Sequence, residues 1–233
     1  MFYYDSTILL VIPALILSLY AQYKVSSAYK KYSATRNIKG YTGADVARQL
    51  LLASDINDVR VEPIHGNLTD HYDPKSKVLR LSEGVYNSQS LAAVGIAAHE
   101  TGHAIQHNIG YAPLGLRSAL VPAANVGSRL AIPLIFIGFL LSAGSGSFGM
   151  LMINAGIILY TVAVAFTLIT LPVEFNASGR AIELLSEYHF LTPDEITPAK
   201  KVLNAAALTY VAAALSAVLT LLRFVIMANS RRD

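Results

Sequence analysis

The sequence predicts a mainly α protein, a multi-span helical membrane protein with a small α+β domain. Three observations predict it. Of 233 residues, 54% are hydrophobic and only 14% charged, whereas a soluble domain is nearer a quarter charged. The mean hydropathy is +0.46, more apolar surface than one soluble core of this length can bury. The apolar residues also collect into four long runs, and the stretch between the first two mixes helical and strand periodicities.

Residues 1–23 read as an N-terminal transmembrane anchor around LLVIPALILSLYAQY. Asp5 precedes the run and Lys24 follows it, without a basic leader or a small-residue cleavage site, so an uncleaved anchor is expected. Residues 24–129 form the polar domain. Within it, 42–53 has helical periodicity with Thr42 as N-cap, and 59–63 reads as a short strand. Asp73-Pro74-Lys75-Ser76 is a turn and 77–82 alternates as a half-buried strand. A helix follows at 90–107, ended by Asn108-Ile109-Gly110. The second run starts near Leu130, a Gly/Ser turn lies at 144–149, and the third run covers 150–171 before Pro172. About 22 residues at ~1.5 Å each span a hydrocarbon core of roughly 30 Å, so 130–171 is a transmembrane hairpin. After a linking segment at 172–204, residues 205–233 form a C-terminal span and tail, with Arg223 placed to snorkel.

Formal net charge is +3. The bases sit beside the apolar runs, where they set membrane orientation, and no arginine-rich arm or aromatic-basic motif is present; nucleic acid is not an expected partner. With no cysteine in the chain, disulfides and thiolate metal sites are excluded. A bound metal must be held by imidazole and carboxylate.

The helix at 90–107 carries His99-Glu100-Thr101-Gly102-His103. Residues four apart stack on one helix face, so two imidazoles can grip one ion. Glu100 lies about 100° round the helix from His99, placed to act as general base on a metal-activated water without ligating the metal. The surroundings, Ala97, Ala98 and Gly102, are small and apolar, and two histidines with a glutamate are costly there without a metal or another partner. A catalytic zinc needs a third protein ligand. Gln106 and Ile109 stand where the metzincin pattern requires Gly and His, which excludes that pattern. Glu174, just past the third run, is the candidate; its alternative is an interfacial ion pair with Arg180. The hairpin returns the chain to the side it left, so His99, His103 and Glu174 share one side of the membrane. One Zn2+ per chain is expected.

LTDHYDPKSKVLRLSEGVY at 68–86, AAHETGHAIQH at 97–107, LVPAANVGSRL at 120–130, TLPVEFNASGRA at 170–181 and VLNAAALTYVAAAL at 202–215 resemble the YugP-type family of bacterial membrane zinc metallopeptidases over nearly the whole chain. The resemblance implies a membrane-embedded, gluzincin-like peptidase with a zincin-like domain. More distantly the chain is similar to the HtpX and CAAX-prenyl-protease type, which pairs H-E-x-x-H with E-x-x-x-D. Here the glutamate matches Glu174 but Ser178 stands at the aspartate. In that group the aspartate orients a ligating histidine; Ser178 is a weaker substitute, and Asn176 an alternative.

Arg180 and Tyr210 are candidates to stabilise an oxyanion, against their ordinary roles as surface charge and interfacial anchor. His107 is expected to be a solvated helix-end residue, His71 a loop residue, and His65 and His189 are assigned nothing. The strand at 77–82 could take a peptide by strand addition, or be an ordinary strand. The expected activity is zinc-dependent endoproteolysis with a peptide or protein substrate, membrane proteins included, and a regulatory membrane partner as a further candidate. The rival is a catalytically silent membrane scaffold or adaptor. A metal transporter would need ionisable residues within the spans; only Asn154 is clearly polar at depth. Lys24, Lys30, Lys31, Arg36 and Lys39 follow the first run, which predicts a multi-pass cell-membrane protein with a cytosol-facing site, although Arg231 and Arg232 would then lie outside.

Overall fold

The computed structural model describes residues 6–142 and 147–230. Residues 144–146 of the expected Gly/Ser turn, and Arg231 and Arg232, lie outside the described residues. A 3-10 turn at Ser6–Val11 leads into α1 (Ile12–Ser33). Then follow α2 (Gly43–Ala53), β1 (Arg60–Ile64), β2 (His71–Asp73), β3 (Val78–Ser82), α3 (Glu83–Tyr86), α4 (Leu91–Asn108), α5 (Ala112–Leu141), α6 (Ser147–Glu187) and α7 (Pro193–Asn229). Among the described residues, four helical segments are long and apolar enough to cross a membrane: Ser6–Ser33, Ala112–Leu141, Ser147–Glu187 and Pro193–Asn229. The protein is thus a mainly helical membrane protein with one small sheet.

The helices outrun the apolar runs that predict them. Pro172 does not end the third helix: α6 continues through it to Glu187. Proline removes one backbone hydrogen bond, which a long helix tolerates where its other turns are held. Glu174 therefore stands on a helix, with a fixed direction.

The chain divides into two compact units. The polar unit comprises Ala21–Gly115 and Pro172–Thr209. Its α2 starts with a full capping box, Thr42 accepting from Asp45 N–H and Asp45 accepting from Thr42 N–H. The apolar face of α2 (Val46, Leu50) joins Leu91, Val94 and Ala98 of α4 and Ala181 and Leu185 of α6 in one core. The sheet has order β1-β3-β2, with β1 parallel and β2 antiparallel to β3. Val78, Leu79 and Leu81 of β3 are fully buried. Strand 77–82 is therefore central and has no open edge; peptide addition to it, as the sequence allowed, is overturned because β1 and β2 take both of its hydrogen-bonding sides. The three-residue β2, not expected from sequence, is too short to show a period. Buried Glu195 accepts hydrogen bonds from Thr192 N–H at the start of α7 and from Ile38 N–H.

The apolar unit comprises Met1–Tyr20, Leu116–Leu171 and Tyr210–Asp233. Here α5 and α6 approach at glycines. A Cβ on Gly127 would stand 2.5 Å from Leu159 O, and one on Gly156 would stand 2.8 Å from Ala131 O. Such small-residue contacts let helix backbones pack where no hydrophobic effect separates helix from lipid.

Candidate metal centre

Helix α4 begins where Ser90 caps it, its hydroxyl accepting from Ala93 N–H at 3.1 Å. From that start, its buried face carries Ala97, Glu100, Thr101, His103, Ala104 and Gln106. Gly102, between the two histidines, is the point of closest approach to α6. A Cβ there would lie 2.7 Å from Ala177 O and 3.2 Å from Ala177 Cα. Only a glycine lets the two backbones come this near, and this contact brings the Glu174 turn of α6 against the histidines.

His99 Nε2 and His103 Nε2 lie 3.3 and 3.6 Å from Glu174 Oε2. The imidazoles meet edge to face, with centroids 4.7 Å apart. The donor atoms of these three residues lie within 4.8 Å of one another, and Glu174 is 2% exposed. Two ligands bound tetrahedrally to zinc at about 2.05 Å are roughly 3.3 Å apart. The His–Glu separations match that figure, and the donor set, two imidazoles and a carboxylate, suits zinc.

The far nitrogens are also engaged. His99 Nδ1 lies 3.1 Å from Ser178 Oγ. His103 Nδ1 lies 3.0 Å from Gln106 Oε1. The Gln106 amide nitrogen donates to Val173 O and to Asn176 Oδ1, each at 2.9 Å, which fixes its oxygen toward His103. An amide oxygen only accepts, so His103 carries its proton on Nδ1 and keeps the Nε2 lone pair for a metal. Asn176 Oδ1 accepts a second bond from Arg180 Nε at 2.9 Å. Four residues on two helices thus hold one imidazole.

Burial works to lower the His103 pKa, but the adjoining Glu174 carboxylate and the charge of Glu100 outweigh it and raise the value. A cation held here would supply compensating charge to the same carboxylates, so metal binding competes with protonation.

The structure brings His99, His103, Glu174, Ser178, Asn176 and Arg180 into this one region. Glu100, 8% exposed, is on α4 next to the ligand pair. Tyr210 falls in the apolar unit. His107 is an exposed residue of the last turn of α4, as expected, and its Nδ1 also meets the Tyr72 hydroxyl at 2.8 Å. Burial, with the charges of Asp58 and Asp73, pushes Tyr72 up to about 12, so the phenol keeps its proton. His65 faces Glu83 Oε1 at 2.6 Å, and His71 lies in β2 rather than a loop, its Nδ1 near Thr69 O. Gln106, fully buried, is the residue that sequence reasoning missed. It entered there only to exclude a metzincin. Its spacing from His103, i to i+3 on a helix, was the available signal.

The family described as "Putative neutral zinc metallopeptidase" matches residues 7–229. "Putative membrane protease YugP" of Bacillus subtilis (strain 168) is 48% identical over 226 residues, covering 97% of this chain and 98% of the relative. No solved structure matches the chain.

Proposed function

The chain belongs to the family described as "Putative neutral zinc metallopeptidase", and we propose that it is a multi-pass membrane endopeptidase with His99, His103 and Glu174 as zinc ligands and Glu100 as general base. The supporting observation is the convergence of three donor residues at zinc-like spacing, His103 and Glu174 buried and His99 partly so, beside a carboxylate on the same helix. Zinc, when bound, supplies a Lewis acid that polarises a carbonyl and acidifies water. Glu100 takes a proton from the attacking water and returns it to the leaving amine. Gln106 and Ser178 hold the imidazoles in the ligating orientation, and Asn176 and Arg180 brace Gln106.

Glu100→Gln should retain one zinc per chain by metal analysis and lose at least about 10²-fold in turnover of a casein-type or quenched-fluorescent peptide substrate. Wild-type turnover in that variant would remove Glu100 from the base role. A wild-type protein that binds zinc and cleaves no peptide, in any substrate library, would support the scaffold reading instead.

The site faces the cytosol in this reading. Lys24, Lys30, Lys31, Arg36 and Lys39 follow the first apolar run, and basic residues beside the first span are retained on the cytoplasmic side. The chain has no cysteine, so Ser33→Cys and Ser147→Cys can each be labelled in intact cells with an impermeant maleimide. Labelling at 147 with protection at 33 is expected; the reverse places the peptidase outside.

A further inference from the structure

The polar unit contains a second hollow that the proteolytic reading does not use. It has a volume of about 400 Å³ and lies between α1 and α7. Its lining includes Lys24 and Lys31 of α1 and Lys201 of α7, with Ser27, Asn204 and Tyr32 between them. No carboxylate is among the residues that line it. Three lysines from two helices therefore line one open space, and Ser27, Asn204 and Tyr32 add neutral hydrogen-bonding groups.

Its level along the two helices identifies the occupant. On α1 the apolar run ends at Tyr23 and the first lining residue is Lys24. On α7 Lys201 and Asn204 stand immediately before the apolar run that begins at Ala205. The hollow is thus at the polar-to-apolar transition of both helices, the depth at which lipid phosphates lie. Basic pockets between membrane helices at this level suit anionic headgroups, and each lysine near such a surface strengthens binding about fivefold. Lys31 Nζ also lies 5.4 Å from the centroid of the adjacent Tyr32 ring, within cation–π reach.

We propose that this hollow is a binding site for the phosphate of an anionic phospholipid headgroup, held by Lys24, Lys31 and Lys201. Free phosphate shares the recognition chemistry but not the location beside the apolar runs. The site is independent of the metal centre, and its occupancy is independent of whether the protein cleaves peptides.

The full-length protein, purified in mild detergent, is titrated with phosphatidylglycerol and with phosphatidylcholine, and retained lipid is counted by native mass spectrometry. Phosphatidylglycerol should be retained preferentially. The triple variant Lys24→Gln/Lys31→Gln/Lys201→Gln should lose that retention by about 100-fold at low salt, and Lys201→Gln alone by about fivefold. A control variant, Lys30→Gln/Lys75→Gln/Lys200→Gln, removes the same charge from exposed positions that do not line the hollow and should keep wild-type retention. Equal loss in both triple variants would show a diffuse surface attraction and overturn the site. Undiminished retention in the lining triple, or in Lys201→Gln should the triple not fold, would overturn it as well. Displacement of the lipid by millimolar inorganic phosphate in the wild type would reassign the hollow to free phosphate.

Discussion

The two stretches of α6 on either side of Pro172 use one packing device for different ends. Before Pro172, Gly156 brings α6 against Ala131 and Ile135 of α5. The groups around that contact are apolar, and Phe148, Leu151 and Ile158 on the same stretch are largely exposed, as a lipid-facing surface would be. After Pro172, the close approach is made by a glycine on the other helix, Gly102 of α4 against Ala177. The groups around that contact are Glu174, Asn176 and Ser178, each hydrogen-bonded or ion-paired to an α4 side chain. Backbone proximity in the first region only fills space. In the second it sets distances between charged atoms, where an error of a few tenths of an ångström matters to a metal. The same substitution should therefore have unlike consequences in the two regions.

The largest effect in the second region is expected from Gln106. It is fully buried and makes three hydrogen bonds, to His103, Val173 and Asn176. Gln106→Leu keeps the approximate volume but removes the acceptor that orients His103, takes the side-chain donor from Val173 O and leaves Asn176 Oδ1 with Arg180 as its remaining donor. Outer partners of metal ligands are typically worth 10–100-fold in affinity. Competition with a fluorescent chelator should show a zinc dissociation constant raised by about 10–100-fold. Gln106→Glu separates orientation from bulk: a carboxylate still accepts from His103 Nδ1 but cannot donate to Val173 O, so it should recover part of the loss. Unchanged zinc affinity in Gln106→Leu would show that α4 alone fixes the imidazole.

The glycine pair tests the comparison directly. Gly102→Ala puts a methyl 2.7 Å from Ala177 O, and Gly156→Ala puts one 2.5 Å from Ile135 Cγ1 and 2.8 Å from Ala131 O. Overpacking of this kind costs about 1–3 kcal/mol, so both variants should melt earlier in detergent by similar amounts. Zinc affinity should fall in Gly102→Ala and stay at the wild-type value in Gly156→Ala. If both lost zinc equally, the metal centre would depend on helix packing throughout the chain rather than on its own contact.

What the sequence made legible follows the same division. The four apolar runs, the Thr42 cap and the H-E-x-x-H helix are local signals, readable from composition and period. The continuation of α6 through Pro172 was not readable, because proline is a strong local stop whose cost is set by distant packing. The three-residue β2 and the central place of β3 depend on pairing between segments, and a period-2 strand looks alike at an edge or a centre. Gln106 was hidden for a related reason: its partners Val173 and Asn176 are 67 and 70 residues away. Glu174 was visible as a candidate because a carboxylate at an apolar boundary stands out; its distance from the histidines was not.

The smallest effect should come from Ser178. Its hydroxyl lies 3.1 Å from His99 Nδ1, where it can accept the imidazole proton much as Gln106 Oε1 does at His103. A neutral hydroxyl is a modest acceptor, and losing one such bond is worth roughly 0.5–1.5 kcal/mol, or about 2–10-fold in an equilibrium. Unlike Gln106, Ser178 is only partly buried, so water can replace the missing group in Ser178→Ala. Zinc affinity should thus fall by less than about tenfold, clearly less than in Gln106→Leu. Ser178→Asp should move the other way: a carboxylate at this position makes His99 a more basic ligand. Zinc would then dissociate more slowly from the aspartate variant than from the wild type. An alanine variant as impaired as Gln106→Leu would mean that the two histidines are held equally. The contrast drawn here between a deeply braced His103 and a lightly held His99 would then fail.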